Sequence, residues 1–222
     1  MVVLLQTIQK ALVIDDFDEQ RIREAREMML PAPALADRRT LPPDGARIGS
    51  VLILFYLRQT DCHLVLTRRQ SDLRTHAGQI SFPGGGREGD ETLVATALRE
   101  TEEEIGVPTT AVNILGKLTP AYIPPSNYVV HPFVGWYKES DELVEGGPIF
   151  RRNPGEVAEI LEVAVYTLLD EAVRQEEPRH FKDQPINIPY FAVDHYKVWG
   201  ATAAILSEVV ERLRHVMVID PV

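Results

Sequence analysis

GGGREGDETLVATALRETEEEIGV, residues 84–107, is the stretch from which the rest of this chain is read. At 100° per residue, Val94, Ala97, Leu98, Thr101 and Ile105 fall along one stripe. That predicts a helix over Glu91–Ile105, with Asp90 as N-cap and Gly106 as terminator. Glu100, Glu103 and Glu104 project together beside the stripe, whereas Glu102 lands on its opposite flank. Like charges one turn apart repel, and the negative end of the helix dipole adds to the cost. A solvated acidic surface is the ordinary fate of a charge run. Three acids at i, i+3 and i+4 with no lysines four residues on are an unfavourable surface, and a hard divalent cation would neutralise them.

The glycines ahead of this helix read as a tight strand-to-helix turn at positive φ, able to turn a backbone carbonyl toward the acidic face. Gly84–Gly89 also spells G-x-G-x-x-G, but Glu88 and Asp90 stand where a dinucleotide pyrophosphate needs positive potential. No acid ends the following strand to hold a ribose, and the Walker lysine is absent.

Outward from this segment, IGSVLILFYL and CHLVLTRR are apolar, β-branched runs separated by RQTD, which predicts a hairpin. GQISF, AVNILGKLTP and NYVVHPFVGWY read as further strands, with PPS at 124–126 as a turn. A final helix is expected from about Ala201 to His215. Strands and helices mix without strict βαβ alternation, so the fold class is α+β or α/β with a mixed sheet. Residues 1–45 read as an N-terminal helical extension packed on a main domain of residues 46–222.

Composition narrows the function classes. The 222 residues carry a formal charge of −10, which argues against non-specific attraction to nucleic acid or anionic lipid and requires any polyphosphate partner to meet local cations. No apolar run is long enough to span a bilayer. The single cysteine, Cys62, suits a reducing cytoplasm.

Residues 85–107 resemble the Nudix box: Gly85, five residues, Glu91, seven residues, then Arg99-Glu100, Glu103-Glu104, Gly106 and Val107. Thr101 stands where that family usually has an aliphatic residue, with its methyl on the buried stripe. Upstream, LTRRQSDLRTHAGQISFPGG is similar to a second signature found in the coenzyme A diphosphatase branch, matched at Thr67, Arg69, Arg74, Gly78 and Phe82–Gly85; Gln70 departs from the Ser or Ala expected there. IPPSNYVVHPFVG and VWGATAAIL resemble the same branch.

The resemblance implies an α/β/α sandwich around a central mixed sheet. It implies a hydrolase of diphosphates that uses Mg²⁺ or Mn²⁺, with Glu100 and Glu104 as metal ligands, Glu103 as third ligand or base, and the Gly85 carbonyl completing the shell. Arg99 would orient Glu100, and Glu91 would tie down Arg99 or the helix start. A further base is expected among Glu156, Glu159 and Glu162, with Glu159 taken as the candidate.

For coenzyme A, Arg69, Arg74 and His76 would meet phosphate, with His76 equally suited to ordering its loop. Tyr122 and Tyr128 are either core aromatics or contacts for adenine or pantetheine. The implied partner is a small molecule, coenzyme A or a related nucleoside diphosphate derivative, with no nucleic acid or membrane partner and a homodimer as an open option. ADP-ribose, dinucleoside polyphosphates and oxidised nucleotides are the alternative substrates. A regulator that binds without cleaving fits an intact acid trio less well.

Overall fold

A computed structural model describes residues 2–13, 17–31, 42–70, 78–138, 147–181 and 184–219. In chain order these form α1 (Val2–Val13), α2 (Glu19–Glu27), β1 (Arg47–Arg58), β2 (Asp61–Arg69), β3 (Ile80–Ser81), β4 (Gly84–Gly86) and α3 (Leu93–Ile105). There follow β5 (Val112–Lys117), β6 (Ala121–Ile123), β7 (Tyr128–Tyr137), β8 (Val157–Ala164), α4 (Val165–Leu169), β9 (Arg174–Phe181), β10 (Gln184–Val193), β11 (Tyr196–Trp199) and α5 (Gly200–Ile219).

The apolar run of β1 is the spine. It pairs antiparallel with β2 and β4 and parallel with β7, so the main sheet is mixed. Leu52, Leu54 and Tyr56 pack on one face with Ala97 and Ile105 of α3, while Ile53, Phe55 and Leu57 join Leu206, Val209 and Leu213 of α5 on the other. A strand covered on both sides needs an unbroken apolar sequence, and SVLILFYL supplies it. The expected α/β/α sandwich is therefore the observed one. β8 extends the sheet beyond β2, and β9, β10 and β11 form a separate three-stranded antiparallel sheet that leads into α5.

Two expectations near the acidic helix are corrected. Gly84–Gly86 form a strand rather than a tight turn, laid against Gly49–Val51 of β1. Side chains would keep these backbones apart: a β-carbon on Gly84 would lie 2.6 Å from the Val51 α-carbon. Positive φ is found at Gly84 (151°) and again at Gly89 (49°), where the chain turns toward the helix. α3 itself begins at Leu93, capped by the Thr92 hydroxyl, which accepts from the Ala95 N–H at 3.2 Å. Glu91 lies ahead of the helix because Thr92, at the N-cap, is extended (φ −73°, ψ 154°), and its carboxylate is engaged instead by the Glu88 N–H at 2.8 Å and by Arg99.

The other end of α3 matches its prediction. Gly106 adopts φ 72° and its N–H returns to the Glu102 carbonyl. The next carbonyls of the helix, on Glu104 and Ile105, accept from the N–H groups of Asn153 and Arg151, each at 2.8 Å. Carbonyls that a helix end leaves unpaired thus dock the segment leading into β8.

On the opposite face, α1 and α2 lie against α5. Glu208 of α5 is fully buried and accepts from Arg26 Nε at 2.8 Å and Arg212 Nε at 3.1 Å. Arg26 also donates to the carbonyls of Thr119 and Pro120, and Arg212 donates to that of Ala11. Among the described residues no helix is long and apolar enough to cross a membrane. Removing one member of a buried charge group strands the others. Glu208→Ala is therefore expected to lower the unfolding free energy by about 3 kcal/mol, measured as a lower urea midpoint at an unchanged m-value.

Candidate active site

The acidic side of α3 is pressed against the glycine strand. The Glu100 carboxyl sits directly over Gly85, where any β-carbon would overlap it. One turn on, Glu104 is 2% exposed; its Oε2 accepts from the Gly84 N–H at 3.4 Å and its Oε1 lies 3.6 Å from Arg69 Nη1 at the end of β2. Burial pushes the Glu104 carboxyl up to about 8 against the pull of Arg69 and the Gly84 N–H, with Glu100 and Glu156 adding repulsion. Burial also raises Glu100, opposed by Arg99 and assisted by the charges of Glu103 and Glu156. Two neighbouring carboxyl groups, both made reluctant to ionise by burial, stand where an added positive charge would favour their ionised forms.

Arg99 organises this face. Its guanidinium donates to both Glu91 oxygens, at 2.9 and 3.2 Å, and to the Gly86 carbonyl at 3.1 Å, and it pairs with Glu100 at 3.1 Å. Its Nη1 takes Glu103 at 3.0 Å. Glu103 is 51% exposed and shares the Arg99 guanidinium with Glu100, on the side of the helix that also carries Glu104. Among the described residues no three acids stand close enough to count as a formed metal cluster. The donor chemistry nonetheless suits a divalent cation: Glu100 and Glu104 are neighbouring oxygen donors whose ionisation is suppressed chiefly by burial, and a bound cation would favour their charged forms.

Of the expected residues, Gly85, Glu100, Glu104 and Arg69 are brought together, and Arg74 and His76 lie outside the described residues. Glu159 is not brought to them. It lies across from Arg68 on β2, accepts from Arg68 at 3.3 Å and from the Tyr196 hydroxyl, and these partners hold its carboxyl below the usual range. Glu162 is likewise occupied, by Tyr56 and Arg58. The acid of this run whose charge acts on both Glu100 and Glu104 is Glu156. It sits in the loop before β8, where the Gln70 N–H donates to the Glu156 carbonyl at 2.9 Å and the Gln70 amide to that of Pro154 at 2.8 Å.

Gln70, a departure from the branch signature, thus anchors the loop that carries Glu156. The Pro154-Gly155 pair is the sequence signal that separates Glu156, in a turn, from Glu159, in the strand. Tyr128 stacks beneath Arg47, 4.6 Å from its centroid, and its hydroxyl would lie 2.6 Å from a β-carbon on Gly86. Tyr122 bonds Asn127 through its hydroxyl. A cleft of about 520 Å³ runs beside β8, lined by Arg58, Phe150, Arg152, Ile160 and Glu162 among others.

A mixed sheet between helical layers, with an acidic helix laid on a glycine strand, is the architecture of a Nudix hydrolase. The NUDIX domain model matches residues 46–186, more than half of the chain, and the chain belongs to this family. It is 32% identical over 180 residues to the uncharacterized Nudix hydrolase NudL of Photorhabdus laumondii, covering 78% of this chain and 92% of that one. With the NudL of Yersinia pestis it shares 35% over 151 residues, 68% of this chain and 72% of the relative.

The crystal structure of the Nudix hydrolase RenU from M. smegmatis superposes with a TM-score of 0.50 at 16% identity, covering 84% of this chain and 98% of that one, a likeness of fold. Nudix hydrolases act on pyrophosphates and generally use divalent metal ions.

Glu91 supplies a pH test of the Arg99 network. Arg99, the Glu88 N–H and the Thr96 hydroxyl lower its carboxyl from the ordinary 4.5 to about 2. A depressed folded-state pKa contributes stability that is fully present above 4.5 and lost as pH falls toward 2. In EDTA, Glu91→Gln is expected to melt below the wild type at pH 7, with the gap closing as the buffer is taken below pH 4.5. A gap independent of pH would contradict this.

Proposed function

We propose that this chain hydrolyses the diphosphate of coenzyme A, and of its derivatives, to 3',5'-ADP and 4'-phosphopantetheine with Mg²⁺ or Mn²⁺. The observation that carries the reading is the meeting of two sequence signatures: Arg69, from the branch-specific segment, lies against Glu104 of the Nudix helix. A cation that close to the acids suits a substrate bearing several phosphates, and the chain's net charge of −10 makes such local positive charge necessary.

Glu100 and Glu104 would hold the cation, with the Gly85 carbonyl and Glu103 as further donors. When bound, a divalent ion neutralises non-bridging phosphate oxygens and acidifies water. Arg69 would then be released from Glu104 to pair with phosphate, joined by Arg74 and His76. Arg99 fixes the orientation of Glu100 through a guanidinium itself held by Glu91 and Gly86.

We assign the base to Glu156 in place of Glu159, because the charge of Glu156 bears on both Glu100 and Glu104 while Glu159 is already paired with Arg68 and Tyr196. In the step itself, the water oxygen bonds to one phosphorus and the bridging P–O bond breaks. The water's proton passes to the Glu156 carboxylate. The cleft of about 520 Å³ beside β8 is of a size that takes a small-molecule moiety, which suits the long arm of coenzyme A.

Purified protein with Mn²⁺ is expected to cleave coenzyme A in preference to ADP-ribose, with both products identified by mass. Preferential cleavage of ADP-ribose would sink the substrate assignment. Glu156→Gln is expected to lower kcat about 10²- to 10⁴-fold with little change in KM. If Glu159→Gln carries that loss instead, the base must be reassigned.

A further inference from the structure

Ser50 is 1% exposed, and its hydroxyl has no hydrogen-bond partner among the described residues. A buried donor of this kind costs stability and calls for an explanation. Its position supplies one. Ser50 is the β1 residue opposite Gly85 in the antiparallel β1–β4 ladder. Opposite residues project to the same face with β-carbons about 5 Å apart, and over Gly85 that space is filled by the Glu100 carboxyl.

The alternation of β1 agrees: Leu52, Leu54 and Tyr56, which share the parity of Ser50, all pack on the α3 side. The β7 residue in register with Ser50 is His131, which is not within hydrogen-bond reach of the hydroxyl. The acid that fills the space over the residue opposite Ser50 is Glu100, one of whose oxygens is paired with Arg99.

We propose that Ser50 is a positioning residue for Glu100, its hydroxyl donating to the Glu100 carboxylate when a divalent cation occupies the site. In the cation-free protein Arg99 holds Glu100 and the hydroxyl is left over. In the loaded protein the carboxylate faces the ion, and Ser50 steadies it from the sheet side. The inference rests on Glu100 being a cation ligand, as proposed above.

The test pairs stability with metal affinity. Ser50→Ala in EDTA should melt at the wild-type temperature or above it, because the deleted hydroxyl had no partner. Its affinity for Mn²⁺, titrated by electron paramagnetic resonance without substrate, should fall about tenfold, the scale of a hydrogen bond to a charged acceptor. Ser50→Cys, similar in size with a weaker donor, should fall between. In a Glu100→Gln background Ser50→Ala should have no further effect.

An unchanged Mn²⁺ affinity in Ser50→Ala alongside a reduced one in Glu100→Gln overturns the role of Ser50 alone. An unchanged affinity in Glu100→Gln overturns the ligand assignment beneath it. A marked drop in the EDTA melting temperature of Ser50→Ala would show the hydroxyl already bonded without metal, and would overturn the proposal as well.

Discussion

Two carboxylates pressed onto a strand without side chains are the constraint around which this molecule is organised. Glu100 occupies the space over Gly85, and Glu104 is buried against the Gly84 N–H. Acids this close and this dry resist ionisation, and the protein cations at hand, Arg99 and Arg69, compensate them incompletely. The site therefore holds a free-energy preference for added positive charge, and a family that works on pyrophosphates with divalent ions can use that preference directly. The glycines matter here for what they lack: any side chain at Gly85 would take the place of the carboxyl.

The frame that holds those acids is built from unconnected parts of the chain. β1 carries Ser50 opposite the glycine strand and, further along, packs against both helical layers. The Arg151–Asn153 segment is fastened to the last carbonyls of α3, so the helix end that disfavours nearby acids also anchors the loop that carries Glu156. Gln70 closes the arrangement from the end of β2, one residue from Arg69. Position and chemistry are coupled: the backbone bonds that complete the helix also assemble the acidic site.

On the far face, the Arg26–Glu208–Arg212 group ties the N-terminal helices to α5, which lies beneath the same sheet. Arg26 reaches on to the carbonyls of Thr119 and Pro120 between β5 and β6. The segment ahead of the family domain is thus packed into the layer that backs the site, through contacts that contribute only while all members are present.

Much of this was legible along the chain. Periodicity over Val94–Ile105 revealed the helix and its buried stripe, Gly106 revealed its end, and the apolar runs IGSVLILFYL and CHLVLTRR revealed a pair of strands, because each depends on near neighbours whose geometry repeats. Helical spacing also singled out the acids, and the resemblance of the upstream segment singled out Arg69. What spacing could not settle was where side chains of different segments meet. The helical wheel put Glu103 with Glu100 and Glu104, but that it shares Arg99 with Glu100 was visible only in the fold; so too were the partners that occupy Glu159 and Glu162, two of the three acids offered as a base.

The glycine run reads locally as a turn and becomes a strand because β1 lies beside it. Ser50 has no signal of its own, since its importance arises from a register with a residue 35 positions away. The sequence by itself determined the local elements and the chemical character of the site. Only the tertiary structure decided which charges face one another, because burial and cross-strand register are properties of neighbours that the chain brings together from afar.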